Sequence, residues 1–215
     1  MGFVFTSRDY MGYIKAAADK IAANGDYITG LDAATGDGDH WVNINKGFVS
    51  MLEAAADLEG LAIDALFKKL GSIFMSKVGG SSGILYGGAY MAAGNAVSGK
   101  EALGAAELCM ALEAMVSDMM KRGKAEPGMK TMIDSLYPAV EAFKKGLSTG
   151  AGEGEIMAQV KQAALDGAEN TRAMEAVKGR ASYQTGKGVG ALDPGAVTMS
   201  YQIECLCDYI TQNLM

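Results

Sequence analysis

Three carboxylates fall within a short stretch near the start of the chain, Leu31-Asp-Ala-Ala-Thr-Gly-Asp-Gly-Asp-His40. Asp32, Asp37 and Asp39 repel one another at such spacing, and a hard divalent cation is the simplest relief. Oxygen donors without cysteine select Mg2+ or Ca2+ over zinc. Gly36 and Gly38 give the backbone freedom to turn the carboxylates toward one point. An EF-hand is excluded, because the twelfth position counted from Asp37 is Phe48 where a bidentate Glu is required. Mg2+ keeps several waters and shares its coordination with substrate phosphates, which suits an incomplete set of protein ligands. Capping of the next helix would account for one aspartate. It leaves Asp32 and both glycines without a role.

Three further segments carry residues suited to anions. Val78-Gly-Gly-Ser-Ser-Gly83 precedes a helical run, so free backbone N–H groups and the Ser81 and Ser82 hydroxyls could cradle an anion. Taken alone, a plain glycine-rich turn explains it equally well. Neither a Walker A motif nor a G-x-G-x-x-G turn after a strand is present. Gly123-Lys-Ala-Glu-Pro-Gly-Met-Lys-Thr-Met132 forms a second such segment. The third includes Lys178-Gly-Arg180 and Asp193-Pro-Gly195. Arg180 could fork onto a phosphate, although singly it reads as a surface arginine favoured at a helix C-terminus. His40, the one histidine, directly follows the aspartates and suits a phosphate contact or a cap. Trp41 beside it reads as an anchor at the end of a helical bundle.

Charge limits what can bind. Three aspartates contribute about −3 and a diphosphate about −3, so one Mg2+ leaves roughly −4 and two leave roughly −2. A nucleotide at this site therefore calls for two metal ions, as in other phosphoryl-transfer sites.

Helices must position these segments. Apolar residues recur at three and four in Ser7–Asn24 with Gly25 as a stop, then in His40–Leu58, Ile63–Val78, Ile84–Val97 and Glu101–Arg122. The pattern continues in Thr131–Lys145, where Pro138 should bend or break the helix, in Glu155–Val177 and in Ala196–Asn213. No alternating run demands a strand, so the fold class is all-α. In a bundle of antiparallel neighbours, alternate connections share an end. The connections after the first, third, fifth and seventh helices are those with the unusual residues. All four should meet at one mouth.

Composition agrees with that outline. The chain has 215 residues, suited to a single domain over 1–215. Apolar residues make up 49% and charged residues 20%, enough for a core and too ordered a balance for disorder. A net charge of −6 argues against nucleic acid as a partner. Cys109, Cys205 and Cys207 make neither a disulfide framework nor a zinc site. No apolar run is long enough to span a membrane and no signal peptide is visible, so a soluble cytoplasmic protein is expected.

At these residues the chain resembles the ADP-binding L subunits of dihydroxyacetone kinases. The resemblance covers essentially the whole length. Its strongest segments are Leu31–His40, Val78–Gly83, Lys130-Thr-Met-Ile-Asp134 and Lys178-Gly-Arg-Ala-Ser-Tyr183 with Asp193–Gly195. It implies an eight-helix antiparallel up-and-down barrel with the nucleotide site at one end. By position, Asp32, Asp37 and Asp39 would bind two Mg2+ ions. His40, Trp41, Val42, Asn43, Ser81, Ser82, Gly123, Met132, Arg180, Asp193, Pro194 and Gly195 would contact ADP or ATP. Trp41 departs from the family, whose members often carry glycine there.

The resemblance further implies a relay. ADP stays bound, is rephosphorylated by a phosphohistidine carrier (the M subunit), and the phosphoryl group passes to dihydroxyacetone on a separate K subunit. A chain of this length fits that multi-subunit form better than the fused ATP-dependent kinase. The oligomeric state is left open, a homodimer included. Three other readings share the same residues: a regulatory Mg-ADP module docking to a transcription factor or paralogous subunit, an ATP-dependent kinase subunit for a related small ketose, and a phosphate-ester hydrolase.

Overall fold

The first helix, α1 (Ser7–Ala23), starts where Thr6 and Asp9 cap each other reciprocally, the Asp9 carboxylate accepting the Thr6 N–H at 3.0 Å. Tyr10, Ile14, Ala17 and Ile21 then fall on one buried face. The computed structural model describes residues 2–215 and continues with α2 (Gly25–Thr35), α3 (His40–Glu53), α4 (Ala55–Leu58) and α5 (Ile63–Lys77). It is completed by α6 (Gly80–Ala96), α7 (Ala105–Gly123), α8 (Ile133–Thr149), α9 (Glu153–Asn170) and α10 (Pro194–Asn213). Among the described residues there is no strand, only an isolated antiparallel bridge between Phe5 and Leu103.

Eight of these helices close a ring. α1 packs on α3, α3 on α5, and α5 to α10 pack in succession before α10 returns to α1. Inside the ring sit Phe48, Phe67, Phe74, Phe143, Ile14 and Ile63, all fully buried, and removal of such side chains from water is the main drive for closure. No helix among the described residues is long and apolar enough to cross a membrane.

Several boundaries differ from the sequence expectation. Gly25 does not end the first helix in open loop; it begins α2 after Asn24, with the Trp41 indole packed where a Cβ on Gly25 would lie. Leu31–Thr35, read as loop, is therefore the last part of a helix. Its buried face consists of Ile28, Asp32 and Thr35, at helical spacing but with two polar members, so no apolar period marks it. α6 starts at Gly80 rather than Ile84, α7 at Ala105 rather than Glu101, and α9 stops at Asn170 instead of Val177.

Pro138 does not break α8, which runs through it. Its ring removes the donor that Asp134 O would otherwise receive, and Gly167 of α9 faces that carbonyl so closely that a Cβ there would overlap it. Gly167→Ala should therefore destabilise the fold by about 1–3 kcal/mol through overpacking at this crossing. A thermal melt would show it as a lowered Tm, and an unchanged Tm would refute the close approach.

Candidate functional site

The four segments singled out by their chemistry meet at one end of the ring, around a cavity of about 330 Å³. Asp32 lies in the last turn of α2, while Asp37 and Asp39 occupy the short bridge to α3, where Gly38 takes φ +78. The Asp32 carboxylate accepts the His40 N–H at 3.0 Å, so it caps α3 from outside that helix. Asp39 occupies the N-cap position of α3 yet makes no side-chain cap bond. Its carboxylate is thus free for other work. One carboxylate oxygen from each of Asp32, Asp37 and Asp39 lies within 4.8 Å of the others.

That set fits a hard cation. Oxygens on opposite sides of one Mg2+ stand about 4.2 Å apart, from bond lengths of about 2.1 Å. A small side-chain rotation would bring the three oxygens onto one ion, and sharing between two ions would need less. A cationic group already stands there: Arg180 Nη2 is 2.6 Å from Asp37 Oδ2. Arg180 and Asp37 are both partly open to water, so the pair itself contributes little to stability. Its use is positional, since it holds a guanidinium beside the carboxylates and over the cavity.

Groups suited to an anion line the same cavity. Gly80, at φ +65, turns the chain into α6, and Ser81 and Ser82 in its first turn face the cavity. The unpaired N–H groups and the dipole of that helix start favour negative charge. Gly123 closes α7, with Lys124 in the left-handed region at φ 46. Met132 occupies the N-cap position of α8, and both Gly123 and Met132 line the cavity. Asp193 caps α10 by accepting the Ala196 N–H at 2.7 Å, with Pro194 and Gly195 following in the first turn.

Trp41, Val42 and Asn43 do not line this cavity. The Trp41 indole N–H donates to Ile21 O at 3.2 Å and ties α3 to the end of α1, so it serves as the bundle anchor its sequence position suggested. Val42 is exposed on the outer face of α3.

Lys130 was missed as a functional candidate. It is 2% exposed, sits in the left-handed region at φ 61, and its ammonium donates to Thr171 O at 2.5 Å and Ala191 O at 2.6 Å. Those carbonyls flank the neck of the long loop between α9 and α10, which carries Arg180. Asp193 N–H donating to Thr171 Oγ1 at 3.0 Å and Gly190 N–H donating to Arg172 O at 2.8 Å close the same neck. Only the quoted run Lys130-Thr-Met-Ile-Asp134 hinted at it. A buried lysine cannot be told from a surface one by residue type.

Electrostatics follow from burial. Burial pushes the Lys130 ammonium below the ordinary lysine value, opposed by the Asp193 carboxylate. Burial also pushes the Asp193 carboxyl up to about 7, against the stabilising N–H of Ala196. The His40 imidazole is lowered by burial, with Asp32 and Asp39 pulling the other way.

An all-α barrel with a carboxylate triad, a guanidinium and a helix start at one mouth defines a class: a helical domain suited to a cation and its anionic partner. Comparison then gives the family. The DAK2 domain family matches residues 34–208, and the chain belongs to it. It is 32% identical over 196 residues to the ADP-binding subunit DhaL of the PEP-dependent dihydroxyacetone kinase of Escherichia coli, covering 91% of this chain and 93% of that one. Over 173 residues it is 39% identical to the ADP-binding subunit DhaL of PEP-dependent dihydroxyacetone kinase 2 of Listeria innocua, covering 80% of each. Human triokinase/FMN cyclase is 33% identical over 186 residues, but that match spans 32% of the human protein. In fold, the chain resembles the dihydroxyacetone kinase from C. freundii in complex with AMP-PNP and Mg2+, with a TM-score of 0.73 and 24% identity. The match covers 92% of this chain and 33% of that one.

Proposed function

We propose that this chain is the nucleotide-bearing subunit of a dihydroxyacetone kinase of the phosphocarrier type, working as one domain over residues 1–215 in the cytoplasm. The convergence of Asp32, Asp37 and Asp39 with Arg180 in one mouth carries this reading, and the naming of the E. coli and Listeria relatives supports it. The three aspartates hold Mg2+, two ions by the charge balance. Bound Mg2+ with ADP or ATP supplies charge neutralisation and the carrier for the phosphoryl group.

The chain's own residues do the rest. Ser81, Ser82 and the N–H groups opening α6 take phosphate charge without moving, because they are fixed at a helix start. Arg180, now paired with Asp37, would be released to meet a phosphate oxygen when that carboxylate holds a metal. Gly123, Met132, Pro194 and Gly195 form walls that leave room for the nucleoside. Lys130 is tied to two carbonyls and does not serve as a base for an acceptor hydroxyl. Activation of dihydroxyacetone belongs to a separate K subunit and recharging to a phosphohistidine M subunit, a division that the relatives' names as ADP-binding subunits support.

The purified chain with ATP, Mg2+ and dihydroxyacetone should give no dihydroxyacetone phosphate above background. Addition of the K and M subunits with a phosphohistidine donor should give sustained turnover. Robust product from the chain alone, or steady phosphate release in the absence of acceptor, would overturn the relay. Native mass spectrometry should find ADP and metal on the purified chain.

A further inference from the structure

Thr198 is fully buried on the inner face of α10 and lies 2.9 Å from His40 Nε2, joining the start of α10 to the start of α3. Its hydroxyl donates to Gly195 O at 3.1 Å, a bond back along its own helix. A hydroxyl has one hydrogen to give. A hydrogen given to Gly195 O leaves only lone pairs toward His40, and an N–H on Nε2 is what meets them. Beneath, Gln202 Nε2 donates to Thr198 O at 3.0 Å and to the Tyr86 hydroxyl at 2.9 Å, which holds this turn of α10 in place.

We propose that Thr198 is a positioning residue that fixes the His40 ring, keeping the proton on Nε2 and presenting Nδ1 to the mouth. Nδ1 makes no hydrogen bond, and no buried side-chain nitrogen or oxygen among the described residues lacks a partner, so Nδ1 is an accessible atom on a residue that lines the cavity. This inference rests on the reading of the mouth as a nucleotide site and adds which edge of the histidine the nucleotide meets. Without the Thr198 hydroxyl the ring is free to turn or to exchange tautomers, and His40 loses its fixed contact.

His40 is the only histidine, so a chain labelled with 15N-histidine gives one imidazole spin system. Metal-free protein at about pH 8, above the ordinary histidine pKa of about 6.5, should show the pyrrole-type nitrogen as Nε2, with a proton that exchanges slowly with water. Thr198→Ser should keep that protected proton and Thr198→Val should lose it. In Mg2+, calorimetry should show Thr198→Val weakening ADP binding about ten-fold and Thr198→Ser by less than about two-fold. In a His40→Ala background, Thr198→Val should add nothing, whereas a merely structural role would cost as much as before. A wild-type proton on Nδ1, or an undiminished Thr198→Val effect without His40, would overturn the proposal. The wild-type spectrum decides the tautomer even if Thr198→Val does not fold. Failure of the wild-type chain to bind ADP would instead remove the nucleotide reading while leaving the tautomer measurement intact.

Discussion

Asp37→Ala should weaken ADP binding in the presence of Mg2+ by at least about 100-fold, a loss of about 2.7 kcal/mol. Asp37 contributes one of three converging carboxylate oxygens, and two remaining carboxylates do not hold Mg2+ beside a diphosphate with the same charge balance. The sign should reverse without metal. In EDTA the variant presents one negative charge fewer to the diphosphate and releases Arg180 from its 2.6 Å pair, so residual ADP affinity should equal or exceed that of the wild type. Stability should hardly move, because the Asp37 side chain is 37% exposed and an exposed ion pair contributes about 0–1 kcal/mol. Calorimetry with and without Mg2+, together with a thermal melt, separates these effects. Unchanged affinity in Mg2+ would refute the metal role.

The clustering of the four loops was legible because helix count and connection order decide which ends meet, and both follow from apolar spacing. Eight segments with that spacing correspond to the eight helices of the ring. α2 escaped because its buried face spends two of three positions on Asp32 and Thr35. A functional side chain there replaces the apolar residue that would have marked a helix. The end of α9 escaped for a different reason. Met174, Ala176 and Val177 extend the apolar rhythm past Asn170, yet backbone groups there are claimed from outside, Val177 N–H donating to Met129 O and Ala176 N–H to Lys187 O. Such long-range bonds leave no local trace. The Thr198 contact with His40 spans 158 positions, and nothing in the DPG turn announces it. Local propensity thus located the groups that carry charge, while the groups that hold them in place had to be seen in three dimensions.

Lys130→Met should release the loop between α9 and α10 while leaving the barrel folded. The side chain is nearly the same length, so the change removes the ammonium and little volume. Buried Thr171 O and half-buried Ala191 O then lose a charged donor, at roughly 1–3 kcal/mol for each carbonyl left unpaired. Part of that cost is offset, since the buried ammonium already sits below its ordinary pKa through desolvation. A net local loss of about 2–4 kcal/mol exceeds what the remaining neck bonds, Asp193 N–H to Thr171 Oγ1 and Gly190 N–H to Arg172 O, are expected to hold. Amide hydrogen exchange should therefore accelerate across residues 174–192 and stay near wild type in α5, α6 and α7. Arg180 travels with that loop, so ADP affinity in Mg2+ should fall as well, by about ten-fold or more. Combining Lys130→Met with Arg180→Met should cost little beyond Arg180→Met alone, because both remove the same guanidinium from the mouth. Full additivity of the two changes, or unaltered exchange in the loop, would show that Lys130 does not position Arg180.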